Sequence, residues 1–164
     1  MYVLGHIGLT VAAVRRLERD VDTRWAALLA LAPDILDKPL SRLVPELAHH
    51  NTRGLGHSIA FSLCVLGALL LWKRKPRPAL VLWGCYVGHF VLDAMWSGHN
   101  PRILLWPLLG DFPPHVYGSF FGWMTLWNVT GEIAGLAVLV SLARTYGPLD
   151  RSKFSTFLKT GALS

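Results

Sequence analysis

Residues 79–96 read ALVLWGCYVGHFVLDAMW, an apolar stretch in which His89 and Asp93 are the only ionisable side chains apart from Cys85 and Tyr86. A stretch of about 18 such residues is long enough to enter a lipid bilayer as a helix. His89 and Asp93 are four residues apart, so a helix presents both on one face. Because a charge is costly at membrane depth, an imidazole and a carboxylate placed together there are typical of a metal-ligand pair.

The chain as a whole has the composition of a membrane protein. Only 16% of its 164 residues are charged and 52% are apolar, whereas soluble proteins average about 25% charged residues. Two further stretches, residues 54–72 and 112–131, contain no Asp, Glu, Lys or Arg. The sequence therefore predicts an all-α integral membrane bundle of about five helices, in a single domain over residues 1–164.

The pattern of apolar runs, prolines and glycines places these helices. They are predicted over about residues 2–16, 23–36, 57–72, 79–96 and 119–143. The first two are short, and we expect the second to end near Pro33 and Pro39. A short helix is predicted over about 40–49, a Gly- and Pro-rich loop over 97–118, and a basic polar tail from about 144, with amphipathic character around 154–158. The N-terminal segment lacks the features of a cleaved signal peptide, so we expect it to be retained.

The distribution of basic residues predicts the orientation. If successive helices cross the membrane in alternating directions, residues 15–24, the turn 73–77 and the tail lie on one side. This side then contains twelve of the sixteen Lys and Arg residues. By the positive-inside rule this side is cytoplasmic, so we expect a membrane that borders the cytoplasm. The polar residues that the threading brings to the opposite, extracytoplasmic side are His6, Asp34, Asp37, His57, His89, Asp93 and His99. We expect the basic residues, which give the chain a net charge of +6, to contact membrane lipid. Nucleic-acid binding is not expected, since the sequence has no basic face with interleaved aromatic residues.

Several motifs follow one another along the chain, and together they resemble a known family. Their order is His6, Pro33-Asp34-Ile35-Leu36-Asp37, Arg53-Gly54-Leu55-Gly56-His57-Ser58, His89-x-x-x-Asp93 and Trp106-Pro107. Over about residues 1–108 this order is similar to that of the YdjM-like family, LexA-binding inner-membrane proteins described as membrane-bound metal-dependent hydrolases. The family often has His-Arg-x-x-Thr-His-Ser in the loop, where this chain has Thr52 before Arg53 and Gly56 before His57.

A more distant similarity in ligand pattern is to the zinc-dependent phospholipase C group. It implies one to three zinc ions, or another divalent metal, and the ligands His6, Asp34, His57, His89 and Asp93. A His-x-x-x-Glu pair of that group reads Asn128-Val-Thr-Gly-Glu132 here. We include Glu132 among the predicted metal ligands, because a carboxylate inside an apolar helix needs either a metal or a hydrogen-bond donor.

Each of these residues also has a structural interpretation. The pair His89 and Asp93 is compatible with a polar contact between helices. Asp34 and Asp37 suit a helix end, and His57-Ser58 suits a helix start. Arg53 either extends to the membrane interface or anchors a phosphate. The loop histidines His49, His50, His99 and His115 are solvated by default.

The sequence favours hydrolysis of a phosphoester of a lipid or lipid-linked substrate by a zinc-activated water. Asp34 or Asp37 would orient the water or accept its proton, and Arg53 would balance charge on the phosphoryl oxygens. Acyl or amide hydrolysis stays open. The alternative is a non-enzymatic membrane protein with a structural or transported metal, and a third hypothesis is a soluble helical protein.

Overall fold

The computed structural model describes residues 2–18, 21–46, 51–98, 100–113, 125–147 and 150–161. These residues form α-helices and one 3-10 turn, without strands, which confirms the all-α prediction. The helices are α1 Val3–Leu17, α2 Thr23–Leu43, α3 Ile59–Lys73, α4 Pro76–Leu92, α5 Asn100–Leu104, α6 Leu126–Tyr146 and α7 Arg151–Thr160, and the 3-10 turn is Leu55–His57.

Helix α2 is longer than predicted. It continues through Pro33 and Pro39 to Leu43, so the predicted end near residue 36 is wrong. An interior proline removes a backbone hydrogen bond, but Pro33 is fully buried, and packing outweighs local propensity here. The helix begins at an Asp22 cap, and the Arg24 guanidinium lowers the pKa of Asp22 below its usual value. Because α2 is continuous, Asp34 and Asp37 lie three residues apart in one helix and are neighbours on its surface.

Other boundaries also differ from the prediction. Helix α4 begins earlier, with Pro76 in its first turn, and ends at Leu92 and not at residue 96. Asp93 is its C-terminal cap, and its backbone N–H donates to the His89 carbonyl. Helix α5 lies in the stretch that we predicted as a loop. The first residues of the predicted short helix 40–49 belong to α2, and residues 47–50 lie outside the described part of the chain.

Helices α1 and α6 are in backbone contact. A Cβ atom on Gly8 would overlap the backbone of Gly135, and a Cβ on Gly135 would overlap the backbone of Leu4 and Gly5. Gly131 and Gly135 form the small-xxx-small spacing that lets membrane helices approach closely. This contact brings the middle of α6 against the first turns of α1.

The distribution of polar and apolar side chains is typical of a membrane protein. His6, His57, His89 and Asp37 are among the largest fully buried side chains, while Leu71, Leu108 and Leu126 are at least 80% exposed. Of the described residues, only α6 has both the length and the composition of a membrane span, and α3 is apolar but shorter. The five-helix integral bundle therefore stays a prediction beyond α6. Residues 119–124, predicted as the start of that last span, lie outside the described residues. The predicted amphipathic tail forms α7.

Candidate metal centre

Three buried histidines from three elements meet near one end of α1 and α4. His6 lies on α1, His57 ends the 3-10 turn, and His89 lies in the last turn of α4. Each is 0% exposed. The His6 and His89 rings stack with centroids 4.1 Å apart, and the His57 ring meets His89 edge-on at 5.0 Å.

All three rings are oriented by a hydrogen bond at Nδ1. The acceptors are the Tyr2 carbonyl for His6, the Asp37 carboxylate for His57 and the Ala30 carbonyl for His89, each at 2.7 Å. Because carbonyl and carboxylate oxygens only accept, the hydrogen of each neutral ring is on Nδ1 and the Nε2 lone pair is free. Metal-binding histidines are held in this way by a carbonyl or carboxylate behind the ring.

The free Nε2 atoms face one another. His57 Nε2 and His89 Nε2 are 3.1 Å apart, and two lone pairs at this distance make no hydrogen bond in the neutral rings. In a tetrahedral zinc site with Zn–N distances of 2.0–2.1 Å, ligand nitrogens are separated by about 3.3–3.4 Å. His6 Nε2 is buried without a hydrogen-bond partner, although Asp93 Oδ1 lies 3.3 Å away. A bound cation would satisfy an unpaired buried acceptor of this kind.

Two carboxylates complete the cluster. Asp34 Oδ1 lies 3.7 Å from His57 Nε2 and 3.9 Å from His89 Nε2. Asp93 Oδ2 lies 3.9 Å from His89 Nε2. The donor atoms form two overlapping groups, each within 4.8 Å: Asp34 with His57 and His89, and His6 with His89 and Asp93. The structure thus brings together five of the six predicted ligands, and His89 belongs to both groups. The mixture of imidazole and carboxylate donors suits zinc.

Asp37 lies behind His57, away from the Nε2 atoms. It is 1% exposed, and its Oδ2 accepts from His57 Nδ1 and from the Gly54 N–H, both at 2.7 Å. Its Oδ1 accepts from the Gly56 N–H at 2.9 Å. The carboxylate therefore binds the loop and orients His57, and it is already engaged by several donors. The sequence analysis left open whether Asp34 or Asp37 handles the water, and of the two it is Asp37 that lies behind His57.

Of the two loop glycines, Gly56 fits tightly against Asp37 and α2, whereas a Cβ on Gly54 would lie at an ordinary contact distance of 3.6 Å from Asp37 Oδ1. A Cβ on Gly56 would lie 3.0 Å from the Pro33 carbonyl and 3.1 Å from Asp37 Oδ1. The Tyr86 hydroxyl also donates to the Gly56 carbonyl, at 2.5 Å. Sequence reasoning missed Gly54, Gly56 and Tyr86 as supports of the site. The Gly-x-Gly-His spacing was the available signal.

Two basic side chains flank the cluster. Arg53, 34% exposed, donates from Nη2 at 2.8 Å and Nε at 3.2 Å to Asp93 Oδ2, and from Nη1 at 3.3 Å to Asn100 Oδ1. Lys38 lies 2.6 Å from Asp34 Oδ2. Lys38 holds Asp34 Oδ2 and leaves Oδ1 directed at His57 and His89. Arg53 holds Asp93 Oδ2, which also lies 3.9 Å from His89 Nε2, while Oδ1 faces His6. Lys38 and Asn100 were not identified from the sequence.

Glu132 is not part of the cluster. Its carboxylate accepts from the backbone N–H groups of Leu4 at 3.1 Å and Gly5 at 2.8 Å, at the start of α1. Those groups have no partner within the helix, and the positive end of a helix favours an anion. The prediction of a metal ligand at Glu132 is corrected accordingly, since donors satisfy the carboxylate. His49, His50, His99 and His115 lie outside the described residues.

Comparison with known proteins identifies the family. The model of the YdjM inner membrane protein family matches residues 1–156, well beyond the motifs in residues 1–108. No curated protein and no solved structure matches the chain. The similarity to the phospholipase C group stays a prediction. Because the match covers nearly the whole sequence, the chain belongs to the YdjM inner membrane protein family.

Proposed function

We propose that this protein is a membrane-embedded metal-dependent hydrolase that cleaves a phosphoester of a lipid or lipid-linked substrate. The observation that carries the proposal is the convergence of three oriented imidazoles and two carboxylates at one buried point. Ionisable groups inside a membrane protein are rare and are usually functional. A purely structural role would not require the free Nε2 atoms of His57 and His89 to face each other at 3.1 Å.

The residues that would hold the metal follow from the donor atoms. His57, His89 and Asp34 form one group, and His6 and Asp93 extend it on the other side of His89. We propose zinc as the natural occupant, with other divalent metals as substitutes. A bound zinc ion would act as a Lewis acid and lower the pKa of a coordinated water toward neutrality.

Asp34 is the carboxylate best placed to handle a proton. Its side chain is 14% exposed, against 1% for Asp37, so Asp34 is the more accessible of the two to an attacking water. Lys38 holds Asp34 Oδ2 at 2.6 Å and leaves Oδ1 facing His57 and His89. We assign Asp34 as ligand and proton acceptor, and Asp37 as the residue that positions His57.

Arg53 would bind the phosphoryl oxygens. Its guanidinium is partly exposed and lies next to Asp93, beside the cluster. A planar guanidinium donates two parallel hydrogen bonds to phosphate. The positive charge of Arg53 would offset the negative charge on the phosphoryl oxygens most strongly as that charge develops during the reaction. Membership of an inner membrane family favours a lipid as the source of that phosphate. We further propose that the site faces the extracytoplasmic side, because the basic connections belong to the other side.

The test is zinc-dependent hydrolysis by the full chain in lipid nanodiscs. Purified protein is stripped with a chelator, reloaded with zinc and incubated with a panel of phospholipids while phosphate and phosphorylated headgroups are measured. We expect release that needs zinc and that falls at least 100-fold in Asp34→Asn. The control is Asp111→Asn, an exposed loop aspartate. Zinc-loaded protein with no turnover on any phosphoester would contradict the proposal and favour the non-enzymatic alternative.

A further inference from the structure

An apolar groove lies between α1 and α4, next to the candidate metal centre. Its volume is about 490 Å³, within the range of sites that bind small molecules. The α1 wall runs from Leu9 to Leu17 and the α4 wall from Leu80 to Leu92. Thr10 carries the only hydroxyl among the lining residues, so the groove suits a hydrocarbon.

Glycines make room in the α4 wall. A Cβ on Gly84 or Gly88 would meet no atom within 4 Å, so these positions open onto space. Gly8 and Gly135 are different, because another helix backbone fills the space beside them. The small residues of α4 therefore shape a groove and do not serve helix contact on this face.

The length of the groove matches one leaflet of a bilayer. From Leu80 to Leu92 an α-helix rises about 18 Å, at about 1.5 Å per residue. Half of a hydrocarbon core of about 30 Å is about 15 Å. The groove can therefore accommodate one extended acyl chain along most of its length.

One end of the groove adjoins the cluster. Gly88 and Leu92 line the groove and directly precede His89 and Asp93 in the chain. At this end the Arg53 guanidinium lies 2.8 Å from Asp93 Oδ2 and is partly exposed. An apolar groove whose last lining residues adjoin His89 and Asp93 in the chain, with the Arg53 guanidinium bound to Asp93, complements a molecule with a hydrocarbon tail and an anionic head.

We infer that this groove holds an acyl chain of a phospholipid whose phosphate lies at Arg53 and the metal centre. The inference rests on the proposed function and names its substrate as a membrane phospholipid, bound by one chain between α1 and α4. It assigns Gly84 and Ala13, on opposite walls, as residues that set the space for the chain.

The first test is photo-crosslinking in nanodiscs with a phosphatidylglycerol that carries a diazirine near the end of one acyl chain. We expect mass spectrometry to find the adducts on Val14, Leu17 and Leu80, at the far end of the groove. Gly84→Leu and Ala13→Leu should each lower this yield at least fivefold. The matched control is Gly67→Leu, an exposed helical glycine on α3 that also opens onto space.

Three results would overturn the inference. The first is equal adduct yield in both groove variants and in the wild type. The second is an even spread of adducts over the exposed faces of α3 and α6. The third is a second copy of the chain in the groove, seen after treatment with a bifunctional crosslinker as protein–protein crosslinks between α1 of one copy and α4 of another. Ala13→Leu fills the groove from the opposite wall, so if one of the two variants misfolds, the other still tests the inference.

A kinetic comparison separates this inference from the proposed function. The ratio of kcat/KM for a long-chain phospholipid to that for a water-soluble short-chain ester should fall at least fivefold in Gly84→Leu and stay constant in Gly67→Leu. Groove adducts without turnover would leave the inference standing and contradict the hydrolase. Turnover with an unchanged ratio in Gly84→Leu would contradict the inference and leave the hydrolase standing.

Discussion

His57 Nε2 and His89 Nε2 lie 3.1 Å apart, while the Nδ1 atom of each ring donates to an oxygen on its far side. When both rings are neutral, two lone pairs oppose each other in a buried site, which is unfavourable unless a cation lies between or beside them. Asp37 and the Ala30 carbonyl hold the rings in this arrangement. The centre is therefore preorganised for a positive ion.

His89→Ala should lower the bound zinc by at least one equivalent, because His89 is the ligand shared by both groups of donor atoms. Insertion into membranes should be unaffected. Metal analysis of the purified variant checks this. Glu132→Gln is the comparison, since its carboxylate caps α1, and its zinc content should equal that of the wild type. Unchanged zinc in His89→Ala would refute the ligand assignment, and lost zinc in Glu132→Gln would restore that residue as a ligand.

Asp37→Asn should weaken zinc binding about 10- to 100-fold, the usual effect of removing a carboxylate that supports a metal-binding histidine. An amide would also direct its NH₂ group at the N–H groups of Gly54, Gly56 or His57. Competition with a chromophoric chelator measures the affinity. Asp111→Asn should bind zinc normally. An affinity equal to wild type in Asp37→Asn would show that His57 does not depend on this carboxylate.

Gly56→Ala should destabilise the loop, because its Cβ would press on the Pro33 carbonyl and on Asp37. We expect a loss of about 1–3 kcal/mol in the free energy of unfolding, as for other overpacked sites, together with weaker zinc binding. Gly67→Ala on α3 meets no atom within 4 Å and should be neutral or slightly stabilising. Unfolding in detergent, followed by circular dichroism, measures both variants. Equal stability of the two would contradict the tight fit at Gly56.

Gly135→Ala should separate α1 from α6, since the added methyl group would overlap the backbone of Leu4 and Gly5. The Glu132 carboxylate would then lose its hydrogen bonds to the start of α1. We expect a lower thermal midpoint of unfolding. The zinc content should fall only slightly, because His6 moves with α1. The same unfolding assay applies. A midpoint at the wild-type value would mean that α1 and α6 are not in backbone contact.

Five of the six predicted ligand side chains meet in the structure, and the reason why the sequence could predict their meeting is physical. The residues that meet are ionisable groups in apolar surroundings, and alternate threading of the helices brings all of them to one side of the membrane: His6, Asp34, His57, His89 and Asp93. Individual roles were harder to predict. Asp34 and Asp37 are only about 60° apart around α2, so packing against the Gly54–Gly56 loop decides which one faces the cluster.

The errors arose where tertiary contacts outweigh local pattern. The position of Glu132 depends on the close approach of Gly8 and Gly135, which no spacing within α6 reveals. The end of α2 was predicted from prolines, yet burial of Pro33 stabilises a longer helix. Arg53 lies beside the cluster, but its partners Asp93 and Asn100 depend on how the loop and α5 fold together.

The most direct test of a shared cation is zinc-edge X-ray absorption on the zinc-loaded full chain. The account predicts a first shell of nitrogen and oxygen at about 2.0–2.1 Å, with outer-shell scattering from more than one imidazole that diminishes in His89→Ala. A folded protein that retains no zinc, or one whose zinc has sulfur neighbours at about 2.3 Å, would contradict it.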